Sequence, residues 1–300
     1  MTPAAPSKTY GTADPVLTGT LTGFLTGDGV TAAYSRVAGE TVLGGPYTIS
    51  AMLSPATVLS NYTITYNTAS FTITAKTASV TPNPVSKILG APDPSPLTTG
   101  TLSGFLAADG VTATYSRTAG ETVASSPYTI SATLSPAGML GNYTITYNTA
   151  SFKITYAMTG LCYGEAGHQI LQPINVDGTS VFKLGSTVPT KFRVCDANGV
   201  PVGPTTATPN VVVSYRIVGL ASGTITDVDE AIDSTTPDTA FRWSSTDQLW
   251  IFNTKTGANT NLNQKNVSYW LQITLADGTI IGSIPTGPYS GKQGHQIGLK

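Results

Sequence analysis

The chain has 300 residues, 40% of them hydrophobic and only 10% charged, with a formal net charge of −1. That length allows two or three domains, each large enough to bury a core. The near-neutral balance excludes the basic footprint of a binder of nucleic acid or acidic membrane surfaces, and no run approaches the roughly 20 apolar residues that cross a bilayer as a helix.

Residues 1–6 carry neither the positive start nor the apolar run of a signal peptide. Abundant Thr, with 31 Gly and 20 Pro, describes strands with polar outer faces and frequent turns. Leu17 to Leu25 is predicted as a strand anchored by Leu21 and Phe24, and Asp28-Gly29 is a hairpin signal. Val30 to Ser35 alternates as a strand, residues 36–40 form a loop, and Pro46 to Ala51 is a further strand. From Asn61 to Phe71, Tyr62, Ile64 and Tyr66 fall on one face and Thr63 and Thr65 on the other, the period-two pattern of a strand. Phe71 to Thr74 continues it.

This whole order is written twice. Asn61 to Phe71 returns letter for letter as Asn142 to Phe152, and Gly19–Thr74 matches Gly100–Thr155 at about 43 of 56 positions. Upstream, Ser7-Lys8, Gly11 and Asp14-Pro15 return as Ser86-Lys87, Gly90 and Asp93-Pro94. A duplication of this kind indicates a modular array. Ala78-Ser79-Val80 precedes Thr81 in the second copy, where the first has only Met1 before Thr2. Residue 1 therefore reads as a truncation point inside a longer array, with further repeats and a signal sequence upstream; the alternative is a true start that lacks an edge strand.

The motifs Tyr10-Gly11 with Asp14-Pro15, Tyr34-Ser35-Arg36 with Gly39-Glu40, Tyr47 with Ile49, Asn61-Tyr62 and Phe71 with Ile73-Thr74 resemble the MBG domain of tandem bacterial surface repeats. The second copy departs from it at Ile88-Leu89-Gly90. The resemblance covers residues 2–155 and implies a spacer or adhesion module without enzyme chemistry. Arg36 and Glu40, with Arg117 and Glu121, are read as loop ion pairs in which Arg reaches back to Glu, against a ligand-binding role. A surface pair of this kind contributes under about 1 kcal/mol.

After the short junction at residues 156–160 the composition changes: all three Trp, both Cys and both His lie beyond it. Strands are predicted at Ile170–Ile174, Ser180–Lys183, Thr187–Val194, Val211–Val218, Phe241–Trp243, Leu249–Phe252 and Val267–Leu275. In Thr187–Val194, Val188, Phe192 and Val194 point inward and Lys191 and Arg193 outward. About seven strands with short turns fit an immunoglobulin-like sandwich. Leu171-Gln172-Pro173, Pro189-Thr190-Lys191-Phe192, Phe241-Arg242-Trp243, Trp250-Ile251-Phe252 and Asp277-Gly278 resemble the PxKF domain, which implies an extracellular bacterial module. The segment Ile280 to Gln293 departs from it and leaves the pairing of the last strand, near His295, open.

Cys162 and Cys195 are expected to form a disulfide that closes a loop of about 33 residues, with two buried thiols as the alternative. His168 lies near Cys162 without a third orienting group, and two His with two Cys match no standard zinc spacing. Asp227, Asp229, Glu230 and Asp233, with Asp238, form an acidic loop read as solvated, with weak calcium binding as the alternative. Trp243 and Trp250 are expected in the core. Trp270 falls on the face opposite Tyr269, Leu271 and Ile273 and is the candidate ligand-contacting aromatic.

The sequence thus reads as an all-β rod of small sandwich domains at residues 1–76, 77–157 and 158–300, the repeats being either Ig-like or β-grasp-like. No catalytic residue, cofactor or metal is expected. The expected role is an extracellular spacer or adhesion module of a bacterial surface or secreted protein, with glycan, cell-wall or surface-protein partners and neighbouring repeats. Carbohydrate or cell-wall binding through the C-terminal domain is the alternative.

Overall fold

A computed structural model describes residues 1–220, 238–258, 260, 262–282 and 296–300. It is almost entirely β. The first copy supplies β1 (Thr2–Pro3), β2 (Ser7–Thr9), β3 (Gly19–Thr20), β4 (Thr31–Arg36), β5 (Tyr47–Ser54), the single helical turn α1 (Ala56–Leu59) and β6 (Ala69–Thr74). The second supplies β7 (Lys76–Pro82), β8 (Val85–Ile88), β9 (Gly100–Ser103), β10 (Thr112–Arg117), β11 (Tyr128–Ser135), α2 (Ala137–Leu140), β12 (Tyr143–Tyr147) and β13 (Ala150–Thr155). The remainder holds β14 (Leu161–Cys162), β15 (Glu165–Ala166), β16 (Ile170–Leu171), β17 (Val181–Phe182), β18 (Thr187–Phe192), β19 (Val212–Leu220), β20 (Arg242–Ser244), β21 (Leu249–Lys255), β22 (Val267–Leu275), β23 (Ile280–Ile281) and β24 (Gln296–Leu299). The chain packs as two compact units. One comprises Met1–Asn83, Pro96–Ser116 and Ile130–Ala150; the other comprises Pro84–Ser95, Arg117–Thr129 and Ser151–Lys300.

In the first unit, β2, β6, β5 and β4 form one sheet in that order. β2 runs parallel to β6, and the other pairs are antiparallel. Alternation places Tyr47, Ile49, Phe71 and Ile73 on its inner face, where Tyr10, Leu17, Val42 and Ala69 pack against them. Thr48, Ser50 and Thr72 take the wet face, which is why so Thr-rich a chain still buries a core. The predicted strand at Leu17–Leu25 shrinks to β3, and Leu21 and Phe24 are only half-buried. Asp28-Gly29 closes a 3-10 turn instead of a hairpin, with Gly29 in the left-handed region at φ 60°.

The twice-written stretch takes two conformations. In the second copy it forms β12, which pairs in parallel with Lys76–Val80 of β7, and β7 pairs antiparallel with β9. In the first copy residues 62–66 form no strand. There Met1 holds the position that Val80 holds in the second copy: its amino group donates to Thr65 O at 3.0 Å, and its carbonyl accepts from Asn67 N–H at 3.2 Å. A strand needs a partner for its backbone groups, so identical residues pair where one is present and stay open where it is not.

In the second unit β8 runs parallel to β13, with Tyr128, Phe152 and Ile154 buried nearby. The rest is a sandwich of two sheets, β16-β18-β21-β20 and β17-β24-β22-β19, with β23 added to β22. Phe192, Phe241, Tyr215 and Phe252 stack between the sheets at centroid distances of 5.1 to 5.4 Å. The Tyr215 hydroxyl meets Thr190 Oγ1 at 2.8 Å. Val188, Phe192 and Val194 point into this core. Arg193 is also buried, its guanidinium bonded to Glu165 on β15 and to the Asp247 and Gln248 carbonyls.

Candidate functional site: paired ion clusters, repeat junctions and an open cavity

Arg36 ends β4 with its guanidinium beneath the loop that follows. It donates to both oxygens of Asp14, at 2.6 and 3.1 Å, to the Gly39 carbonyl at 2.6 Å, to the Val37 carbonyl at 3.1 Å, and to Glu40. Lys8, on β2, pairs with Asp14 at 2.7 Å and with Glu40. The guanidinium lies 4.7 Å from the Phe71 ring centroid and 5.4 Å from that of Tyr47. The second copy repeats the arrangement with Lys87, Asp93, Arg117 and Glu121 over Phe152 and Tyr128.

The expected Arg–Glu pairs are present, each as part of a four-membered cluster. The side chains of Lys8 and Arg36 are only 5% and 8% exposed, those of Asp14 and Glu40 36% and 63%. Two cations and two anions cancel, and every guanidinium face meets either an acceptor or a ring, which is the condition for burying charge. Arg36 and then Lys8 hold Asp14 down at about 2, and Lys8 foremost lowers Glu40. Burial works against the Lys8 ammonium, but its bonds to Asp14 and Glu40 outweigh that and raise its pKa. Gly39, at φ 150°, passes under Tyr47 so closely that a Cβ would lie 2.0 Å from its ring. Gly120 does the same under Tyr128. The sequence carried a sign of the missing members, since Lys8 and Asp14 are themselves kept in both copies.

The junction between the two copies lies inside the first unit. One residue, Ala75, separates β6 from β7. The Tyr10 hydroxyl reaches both Asp109 oxygens at 3.1 and 3.2 Å, and its ring meets Tyr143 edge-on at 5.5 Å. Tyr143 also bonds Asp109 and accepts the Leu106 N–H at 3.0 Å. Burial and then Asp109 push the Tyr143 phenol up to about 12. Asn142, 3% exposed, accepts the Val42 N–H at 2.9 Å. Gly11, at φ 80°, stands where a Cβ would lie 2.5 Å from Leu106.

A second junction lies inside the second unit. Leu89 stands where the first copy has Tyr10. Its carbonyl accepts the Ala197 N–H at 2.8 Å, and Gly90 faces Asp196. The Tyr156 N–H donates to Asp277 at 2.7 Å.

Cys162 and Cys195 are bonded, with Cα atoms 5.5 Å apart. His168 contacts Thr279 Oγ1 at 3.0 Å, and burial lowers its pKa. Asp227, Asp229, Glu230, Asp233 and His295 lie outside the described residues. Asp238 accepts the Asn253 N–H at 2.8 Å and pairs with Arg242 at 3.3 Å. Trp250 is buried and Trp243 half-buried. Trp270, the candidate ligand-contacting aromatic, is 2% exposed. It sits on β22, which is flanked by β19 and β24, and both faces of the strand are covered from Ser268 to Leu271. Period two assigned its face correctly, but that face is interior too. On the outer face of the sheet carrying β18 and β21 lies an open cavity of about 760 Å³, lined by Gln169, Asn175, Asp177, Lys191, Arg242 and Asp247 among others.

Comparison with known families follows this geometry. Residues 1–72 and 78–153 each match the MBG domain (YGX type). The two matches stand in tandem, and the Tyr-Gly corner of the first MBG match is the element that meets the second. No curated protein matches the chain. Similar solved structures include Drosophila N-cadherin EC1-4, with 9% identity and a TM-score of 0.23 over 85% of this chain and 58% of that one. A titin I67–I69 variant shares 11% identity at a TM-score of 0.23, over 99% of this chain and 96% of that one. The human desmocollin-1 ectodomain shares 9% at 0.21, over 94% and 57%. The chain spans less than two thirds of the N-cadherin and desmocollin structures.

Proposed function

We propose that the chain is a non-catalytic spacer and adhesion-associated segment of a bacterial surface or secreted protein. It would be built from two MBG-type domains, residues 1–76 and 77–157, and a PxKF-like sandwich, residues 158–300. The observation that carries this is the direct passage of β6 into β7 with Tyr10 seated on Asp109 and Tyr143. A junction of one residue with buried side chains transmits orientation and force, where a flexible tether would not. The Cys162–Cys195 disulfide fits an oxidising, extracellular setting, and no helix among the described residues is long and apolar enough to cross a membrane. Force spectroscopy on the full chain tests the proposal. Discrete unfolding events, with a Tyr10→Ala variant yielding at lower force, are expected. A featureless, low-force extension would refute it.

A second reading is carried by the cavity on the β18–β21 face. Its mixed lining, with Gln169, Asn175, Lys191 and Arg242 beside Leu171, Pro189 and Ile251, suits a carbohydrate or cell-wall polymer held by hydrogen bonds and apolar contact. With Trp270 interior, recognition there would not use that ring. A glycan and cell-wall array probed with the full chain and with Lys191→Ala/Arg242→Ala separates the readings. Saturable binding lost in the double variant supports recognition, and no binding by the folded chain removes it.

A further inference from the structure

Tyr163 occupies a turn position that disfavours its side chain. β14 and β15 form a two-residue hairpin in which Cys162 pairs with Glu165, so Tyr163 and Gly164 are its central residues. Both have positive φ, 57° and 83°, the pattern of a type I′ turn. Asn-Gly or Gly-Gly suits that turn, whereas a bulky side chain in the left-handed region is strained. The turn is nonetheless held firmly. The Cys162–Cys195 bond anchors its first strand, and the Tyr163 N–H donates to the Gly199 carbonyl at 3.2 Å. One face of the ring lies on the Arg193 guanidinium, 5.3 Å from the centroid. That guanidinium is itself fixed by Glu165 and by the Asp247 and Gln248 carbonyls. The other face is left to water, since Tyr163 is 59% exposed. Among the described residues of the second unit it is the one Tyr, Phe or Trp that is mostly exposed. Arg193 and Glu165 both line the cavity on the β18–β21 face, so the ring stands at the rim of that cavity.

We infer that Tyr163 is the stacking platform of this cavity and that the ligand is an uncharged polysaccharide. Folding does not call for a tyrosine here, because Asn would form the same turn with less strain. A residue that breaks a local rule, and is held in place by what surrounds it, is the mark of a ligand contact. The ring offers a flat, amphipathic surface on which the C–H face of a pyranose packs. Pinned from behind, it has little freedom left to lose on binding. Charge selects the class of sugar. Glu165, Asp177 and Asp247 line the cavity together with Lys191, Arg193 and Arg242, three of each sign. The cavity therefore has no net attraction for uronate or phosphate polymers. Sugar hydroxyls both donate and accept, so a neutral chain can bond to groups of either sign. The inference rests on recognition at this cavity and names its ligand class and the aromatic contact that Trp270 does not supply.

Titration calorimetry of the full chain tests it, with chitohexaose, cellohexaose and mannohexaose as neutral probes and hexagalacturonate as the anionic one. Saturable binding of at least one neutral hexasaccharide is expected, with an affinity that changes less than about twofold between low and high salt. Tyr163→Asn should weaken it at least about tenfold. The thermal midpoint of that variant should stay level or rise, because Asn suits the turn. Tyr163→Phe keeps the ring and should bind within about threefold of the unaltered chain. Affinity unchanged in Tyr163→Asn but lost in Lys191→Ala/Arg242→Ala would overturn the platform and leave recognition at the cavity standing. A lowered midpoint with unchanged affinity would make the ring a structural prop, with the same consequence. Binding of hexagalacturonate alone, weakened by salt, would overturn the neutral class. Binding of none of the four by the folded chain would remove the inference and the cavity reading together.

Discussion

Replacing Arg36 by Met removes the hub of the first ion cluster while keeping an unbranched apolar stem over Phe71. The loss includes the bidentate contact with Asp14, the bond to Glu40, and the donors that hold the Val37 and Gly39 carbonyls. Lys8 is left alone with two carboxylates. Removing one partner from a fully buried pair typically costs about 3–5 kcal/mol. Asp14 and Glu40 are 36% and 63% exposed, so water recovers part of that and about 2–3 kcal/mol is expected. That corresponds to roughly 30- to 150-fold faster exchange of amides that open with this sheet. Native-state hydrogen exchange is the suitable assay, because peptides from residues 31–54 and 112–135 differ in sequence and the second copy serves as an internal reference. Acceleration confined to the first copy is the expected result. A change under about threefold, the level of an ordinary exposed ion pair, would refute the claim that these clusters hold the loop.

The same clusters set an acid limit. Asp14 and Asp93 titrate at about 2 in the folded chain against an ordinary 3.8. Their contribution is therefore fully present above about pH 4 and is lost as pH falls toward 2. With these side chains 36% and 34% exposed, screening reduces it to ~1 kcal/mol per copy. Acid titration of wild type against Asp14→Asn/Asp93→Asn should converge near pH 2, and a difference independent of pH would refute the assignment. Tyr10→Phe keeps the ring against Tyr143 but removes the bonds to Asp109, so exchange at residues 143–147 should rise about tenfold, for ~1.4 kcal/mol; an unchanged rate would show that the hydroxyl is not part of the junction. Reducing Cys162–Cys195 should destabilise the sandwich by ~3–4 kcal/mol. Urea unfolding followed by Trp fluorescence reports on that region alone, since all three Trp lie there, and an unmoved midpoint would contradict the estimate.

The sequence made the strands legible where period two coincides with burial, as in Tyr47, Ile49 and Leu53 on β5 or Tyr269, Leu271 and Ile273 on β22. It could not say which strand a given edge meets. The stretch beginning at Asn61 shows why: the same letters become β12 only where Lys76–Val80 are there to pair with it. Trp270 failed for a related reason, since alternation tells two faces apart without telling whether one of them is wet. Arg36 and Glu40 were visible because they stand four residues apart. Asp14, 22 residues from Arg36, and Lys8, 32 residues from Glu40, come together only through the fold, as β2 lies parallel to β6.

The two junctions explain a departure that the sequence alone left bare. Both copies place a glycine of nearly the same backbone conformation, φ 80° at Gly11 and 81° at Gly90, at the corner that meets the next element. What precedes the glycine follows the neighbour. Tyr10 meets another copy, whose Asp109 and Tyr143 offer a carboxylate and an aromatic ring to a phenol. Leu89 meets the turn at Asp196-Ala197, where the contact is a backbone bond that any side chain allows. The glycine thus serves close approach in both cases, and the residue before it serves specificity. On this argument Tyr-Gly marks a corner that stacks on its own kind, and Leu-Gly marks the corner where the repeats give way to a different fold.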